Sequence, residues 1–118
     1  MNYLNSLEFA IIQDVLKSNI LKKTLTQDLL KHLLYIRVKE RKLSQVGMYI
    51  HFEYIKNFNF EIDKNINLSL SSDNTVKFNN FDDLFSFELN FNNGLFNYIE
   101  LVTYSNNWSG KYDSFIIK

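Results

Sequence analysis

The chain has 118 residues, of which 46% are hydrophobic and 22% are charged, and it contains no cysteine. This length favours a single domain with one core, and the hydrophobic content excludes a disordered chain. The lack of cysteine excludes disulfide bonds, thiolate metal sites and cysteine nucleophiles, and the balance of 13 basic and 13 acidic side chains gives no support to a strongly basic nucleic-acid-binding protein.

The N-terminal part of the chain has the periodicity of two helices. Apolar residues recur at three- and four-residue steps over Leu4 to Ile20, which predicts an amphipathic helix. Asn5 or Ser6 can cap its start, and Glu8 follows in the first turn. A second helix is predicted to begin near residues 20–24 and to end near residues 33–35, where the period changes.

Beyond the helices the sequence changes to a two-residue period. Alternation over Leu34–Arg41 and again over Gly47–Tyr54 predicts two neighbouring antiparallel strands, joined by the polar residues 42–45. Residues 57–83 contain many Asn, Asp and Ser, and predict one or two short strands among loops. We interpret the basic residues near the first strand as a solvated strand face: Arg37, Lys39, Arg41 and Lys42.

A β-hairpin is the clearest local feature of the sequence. Apolar and polar residues alternate over Phe85–Phe91 and lead into Asn93-Gly94, a pair that accepts positive φ at both turn positions. With a two-residue turn, the return strand Leu95–Tyr104 would direct Glu100 toward the core. Either Glu100 is an enclosed carboxylate, or a bulge near Tyr98-Ile99 shifts the phase and leaves it on the rim.

The order of the elements predicts the architecture. Helices first and strands afterwards indicate an α+β fold, with two N-terminal helices packed on one face of a mostly antiparallel sheet of four to six strands. The loop Ser105–Gly110 surrounds Trp108, and a last apolar run follows at Tyr112–Ile117. No repeat or linker divides the chain, so residues 1–118 are predicted to form one α+β domain.

The sequence gives little indication of catalysis or of a metal site. His32 and His51 are the only histidines and do not form a close ligand pair. The three glycines form no phosphate-binding motif, and no serine lies in a nucleophile-elbow motif. An enclosed Glu100 could be a general acid or base, but one carboxylate without a partner is a weak basis for catalysis. We therefore expect a protein that is not an enzyme, with no catalytic residues, no metal and no cofactor.

Charge and aromatic residues instead favour binding. Residues 1–59 hold nine Lys/Arg and five Asp/Glu, whereas residues 60–118 hold four and eight, so the C-terminal half is acidic. Trp108 either caps the core or stands exposed as an interface anchor, and protein interfaces are enriched in aromatic anchors. We predict a partner-binding surface formed by Asp82, Asp83, Glu100, Tyr104, Trp108 and Tyr112.

No targeting or membrane-spanning segment is recognisable in the sequence. Residues 1–6 lack the basic region of a signal peptide, and no apolar run approaches the roughly 18–20 residues that a spanning helix needs. We expect a soluble cytoplasmic protein with no membrane partner and no nucleic-acid partner.

Two stretches resemble a small bacterial family. The segment Arg41–Phe52 is similar to that family's pattern R-E-F-T-G-V-G-F-Y-T-x-F, and the segment Asn93–Trp108 is similar to its pattern D-G-x-I-x-x-L-E-G-Y-T-Y…W, in the same order. The resemblance implies an α+β fold. In size and composition the chain also resembles bacterial immunity proteins of polymorphic-toxin and contact-dependent growth-inhibition systems.

The second resemblance implies a function. In such toxin–antitoxin pairs the immunity protein binds one cognate toxin domain and blocks it, often with an acidic surface that covers or flanks a basic substrate groove. We therefore expect a protein-binding immunity protein. Two alternatives stay open: a small-ligand-binding or catalytic protein that uses an enclosed Glu100, and a homodimer.

Overall fold

The computed structural model describes residues 2–19, 23–104 and 108–118. Two predictions fall partly outside the described residues. The start of the second helix was predicted near residues 20–24, of which 20–22 are not described, and the predicted Ser105–Gly110 loop includes residues 105–107, which are not described either. The elements in chain order are α1 (Ser6–Ser18), α2 (Lys23–His32), β1 (Ile36–Ser44), β2 (Gly47–Tyr54), β3 (Leu68–Ser71), β4 (Val76–Phe78), β5 (Ser86–Asn92), β6 (Leu95–Val102) and β7 (Phe115–Ile117).

The strands form two sheets, and the α+β fold is confirmed. The main sheet has five strands in the order β1-β2-β6-β5-β3, and every neighbouring pair is antiparallel. The strands β4 and β7 pair in a second, two-stranded sheet. Both helices pack on one face of the main sheet, since their apolar residues and the inward residues of the strands form one core.

The helix α1 begins with the cap that the sequence predicts. The Asn5 side chain accepts a hydrogen bond from the backbone N–H of Glu8, and the Glu8 carboxylate accepts one from the backbone N–H of Asn5, each at 2.9 Å. This reciprocal capping box satisfies two N–H groups that the first turn would otherwise leave unpaired. The helix then buries Ile11, Ile12 and Val15 completely. Neither of the two described helices is long and apolar enough to cross a membrane.

The predicted hairpin joins β5 and β6, and it contains a bulge. Asn93 and Gly94 have φ angles of 52° and 79°, as a turn with two left-handed residues requires. Phe91 pairs with Phe96 but Asn90 pairs with Tyr98, so Asn97 is an extra residue on β6. The bulge reverses the alternation of the rest of the strand.

A second bulge reverses the alternation of β1. Val38 pairs with Phe52 but Glu40 pairs with His51, which leaves Lys39 as the extra residue. As a result Arg41 faces the core, opposite the buried Ile50, whereas the sequence placed it on a solvated face. The predicted polar joint at residues 42–45 is also wrong, because β1 continues to Ser44.

Candidate functional site

One face of the main sheet is covered by the helices, and the other faces solvent. We call the solvent-facing side chains of the three central strands β2, β6 and β5 the open face. They include three glutamates and three aromatic or imidazole rings but no lysine or arginine: Tyr49, His51, Glu53, Tyr98, Glu100, Val102, Ser86, Glu88 and Asn90. An uncovered face with aromatic and acidic side chains is the best candidate for a functional surface in the described residues.

An aromatic cluster lies in the middle of the open face. The Tyr49 and His51 rings are stacked, with centroids 6.0 Å apart and an interplanar angle of 17°. The Tyr98 ring contacts both, at centroid distances of 5.6 Å to Tyr49 and 5.7 Å to His51. Each of the three residues is half-buried, so the cluster is packed together on the sheet.

Two carboxylates lie beside this cluster. Glu88 and Glu100 are direct cross-strand partners in the β5–β6 register, so both side chains project from adjacent points of the open face. The Tyr49 hydroxyl donates a hydrogen bond of 2.8 Å to Glu100. This bond, together with the negative charge of Glu100, raises the pKa of the Tyr49 hydroxyl. Tyr49 therefore stays a neutral donor and does not neutralise the charge of the carboxylate.

A depression of about 280 Å³ adjoins the two carboxylates. It is lined by Glu88 and Glu100, by Phe87 and Val102, and by three serines: Ser71, Ser72 and Ser86. A space of this kind can accept one side chain of a partner protein, with polar groups at its rim and apolar atoms along its wall.

The position of Glu100 decides between the two alternatives that the sequence left open. The bulge in β6 turns Ile99 and Leu101 into the core, where both are fully buried, and leaves Glu100 half-buried on the open face. The bulge was one of the two alternatives, although its extra residue is Asn97, just before Tyr98-Ile99. A small-ligand site around an enclosed Glu100 therefore loses the geometry on which it depended.

The predicted interface anchor Trp108 is part of the core. Its side chain is 7% exposed and stacks on Phe78, with ring centroids 5.2 Å apart, and it contacts Phe85 at 4.8 Å. Tyr112 is half-buried on the other side of this group, 4.5 Å from the Phe78 ring. The core-capping interpretation of Trp108 is thus confirmed, and its ring is not free to contact a partner.

The other predicted contact residues remain on the surface. Asp82 and Asp83 are exposed in the segment before β5, and Tyr104 is 99% exposed just after β6. The structure therefore does not unite the six predicted residues in one patch: Glu100 belongs to the open face, Trp108 belongs to the core, and the two aspartates lie in a separate loop.

A buried ion pair joins α1 to β1, and the sequence did not predict it. The Glu8 side chain is 1% exposed and accepts hydrogen bonds from Arg41 Nε at 2.7 Å and from Arg41 Nη2 at 3.0 Å. The bond to Glu8 raises the pKa of Arg41. Burial, and then the charge of Glu8, raise the pKa of Tyr112, which lies near the pair. The pair has a structural role, because its carboxylate is saturated with donors and hidden from solvent.

A buried histidine joins α2 to the sheet. His32 is 3% exposed, and its Nδ1 lies 2.7 Å from the Tyr54 hydroxyl. That hydroxyl also accepts a hydrogen bond of 2.9 Å from the backbone N–H of Phe96. Burial lowers the pKa of His32, although Asp28 opposes the shift. Burial therefore favours the neutral imidazole at this position.

The open face carries side chains of the kinds in which protein interfaces are enriched. In the described parts of the chain, no group of three or more His, Cys, Asp or Glu side chains could hold a metal ion. Aromatic rings, carboxylates and hydroxyls of this kind can supply contact area and hydrogen bonds to another macromolecule. Comparisons of the chain with protein-family models, with curated proteins and with solved structures found no match.

Proposed function

We propose that the chain is a protein-binding immunity protein that neutralises a cognate bacterial toxin by direct binding. The toxin belongs to a contact-dependent growth-inhibition system or to another polymorphic-toxin system. One observation carries the proposal: an uncovered sheet face presents a preformed aromatic cluster beside two adjacent carboxylates.

The scaffold beneath this face supports a binding role. A protein that blocks an enzyme by covering it gains affinity when its contact surface is ordered beforehand, because less conformational entropy is lost on association. Here the central strands hold the contact residues in register, and the Glu8–Arg41 pair fixes the covering helix α1 to the edge strand β1. Both features keep the open face in one arrangement.

The charge of the surface supports a toxin as the partner. Toxins that cleave nucleic acids bind their substrate in a positively charged groove, and an acidic protein surface complements such a groove. The open face carries Glu53, Glu88 and Glu100 without a lysine or arginine among the side chains that define it. Asp82 and Asp83 extend the acidic surface of the C-terminal half.

The proposal is tested by expressing this chain together with the toxin domain that is encoded immediately upstream of it. The expected result is that cells survive the cognate toxin and that the two proteins co-purify as a complex. A toxin domain from another system serves as the control and is expected to kill in the presence of the chain. If the cognate toxin kills equally with and without the chain, and no complex is recovered, the proposed function is wrong.

A further inference from the structure

We propose that the open face binds an arginine-bearing segment of the partner protein, and that a guanidinium group lies over Glu88 and Glu100. This inference rests on the proposed function, since it names the chemistry by which the toxin is held. It also selects one of the two acidic surfaces, the open face, over the loop that contains Asp82 and Asp83.

The first reason is a repulsion between two carboxylates that no ion pair of the described residues relieves. Like charges directly opposite each other on adjacent antiparallel strands are destabilising. Glu88 and Glu100 occupy such positions, and the ion pairs of the described residues are Lys31–Asp28 and Arg41–Glu8, neither of which involves them. A cation supplied by a partner would convert the repulsion into two attractive contacts.

The second reason is that the surroundings suit a guanidinium group better than an ammonium group. Arginine has a planar fork of donors that can bond two carboxylates, and its flat face stacks on aromatic rings. The Tyr49 hydroxyl is bonded to Glu100, so a cation over the carboxylates is next to the aromatic cluster of Tyr49, His51 and Tyr98. The adjoining depression provides room for the arginine stem against Val102.

The third reason is that charge changes sign along one row of cross-strand partners. Along one row, Lys42 on β1 pairs with Tyr49, and Tyr49 pairs with Glu100, which pairs with Glu88. The acidic end of this row lies over β6 and β5, and its basic end lies at the edge strand β1. We expect the partner segment to cross the strands with its arginine over β6 and β5. In the reverse direction the arginine would lie beside Lys42, and the two positive charges would repel each other, so the row of charges fixes the direction of the segment.

The main experiment compares two variants that each remove two negative charges. E88Q/E100Q alters the open face, and D82N/D83N alters the loop before β5. The dissociation constant for the upstream-encoded toxin domain is measured by calorimetry at low and high salt. We expect E88Q/E100Q to weaken binding about 10- to 100-fold and to reduce its salt dependence, because hydrogen bonds to charged groups are lost. We expect D82N/D83N to change the affinity less than about threefold, as rim charges do.

The outcomes separate this inference from the proposed function. If the wild-type chain binds the toxin and E88Q/E100Q binds equally well, or if D82N/D83N is the more damaging variant, the open face is not the contact and the immunity function stands. If the wild-type chain does not bind the toxin, the proposed function fails. Whether the open face binds guanidinium groups is then decided by a measurement without the toxin.

That second measurement uses a synthetic octa-arginine peptide and amide chemical shifts of the labelled chain. We expect shifts that concentrate at Tyr49, Tyr98 and Glu100 and that disappear in E88Q/E100Q, whereas an octa-lysine peptide gives smaller shifts. Equal shifts with both peptides, or shifts centred on Asp82 and Asp83, would overturn the inference.

Two readouts on the free chain complete the test. E88Q is expected to raise the melting temperature, since it removes a like-charge pair, and a lowered melting temperature would refute the unrelieved repulsion. Light scattering at two concentrations is expected to give a monomer. A dimer that dissociates in E88Q/E100Q would identify a second copy of the chain as the occupant and overturn the proposed one.

Discussion

Replacement of Arg41 by methionine should destabilise the protein far more than replacement of its neighbour Lys42. The two residues are adjacent in β1, yet the bulge at Lys39 directs Arg41 into the covered side and leaves Lys42 in solvent. Methionine keeps most of the apolar stem of either side chain, so the R41M variant chiefly removes the guanidinium group. The comparison therefore isolates the buried ion pair with Glu8.

The magnitude follows from the bonds of the Glu8 carboxylate. It accepts two hydrogen bonds from Arg41, at 2.7 and 3.0 Å, and one from the backbone N–H of Asn5. The variant leaves one of these three donors, and the removal of one partner from a buried ion pair costs about 3–5 kcal/mol. The Arg41 side chain is 30% exposed, so solvent reduces this penalty, and we expect a loss of about 2–4 kcal/mol.

Urea unfolding measures the difference. With a slope of about 1–3 kcal/mol per molar urea, the R41M variant should unfold at a midpoint about 0.7–4 M lower than the wild type. The K42M variant should lie within about 0.5 kcal/mol of the wild type, as an exposed residue does. R41K keeps the charge but loses the two-pronged geometry, and should fall between them. Equal stability of R41M and K42M would refute the buried pair and the bulge that creates it.

Three further predictions concern the core. Gly47→Ala should lower the free energy of unfolding in urea by about 1–3 kcal/mol, because a Cβ at this position would lie 1.7 Å from the carbonyl oxygen of Leu101. An unchanged midpoint would contradict the close approach of β2 and β6. Trp108→Ala should cost about 3–5 kcal/mol by the same assay, whereas a loss below about 1 kcal/mol would indicate an exposed ring. Because the pKa of His32 is lowered in the folded chain, its imidazole takes up a proton in the unfolded chain near pH 6.5 and in the folded chain only at a lower pH. Stability should therefore fall as pH drops from about 7.5 through 6.5, and thermal melts of H32Q should show a smaller fall; an identical fall would exclude His32 as its source.

Local sequence signals predicted the elements of this fold well. The capping box depends on Asn5 and Glu8, which are three residues apart, and the hairpin turn depends on two consecutive residues that tolerate positive φ. Neither feature needs information from distant parts of the chain. The order of helices and strands then restricted the architecture to an α+β layer.

The open face and the ion pair of Glu8 with Arg41 were harder to predict, because each depends on a bulge. One extra residue, Asn97, decides whether Glu100 points to the core or to solvent, and Lys39 does the same for Arg41. A bulge reflects the pairing of two strands and has no strong signature in one of them. The contact of Tyr49 with Tyr98 likewise depends on the β2–β6 register, which alternation along either strand does not specify.

Trp108 illustrates the same difficulty for an aromatic residue in a polar loop. Its sequence neighbours are polar, which fits both an exposed anchor and a ring folded back on the core. The residues that decide between these alternatives are Phe78 and Phe85, which precede it by more than 20 positions. The burial of Trp108 moves the predicted contact from the C-terminal loop to the sheet.

The most direct test of the account is a titration of the purified upstream-encoded toxin domain with this chain, in which the toxin's own activity is measured. Direct neutralisation predicts that activity falls in proportion to added chain and reaches zero at one equivalent, and that E88Q/E100Q requires a large excess. Toxin activity that persists at a large excess of the folded wild-type chain would contradict a function in binding and blocking this partner.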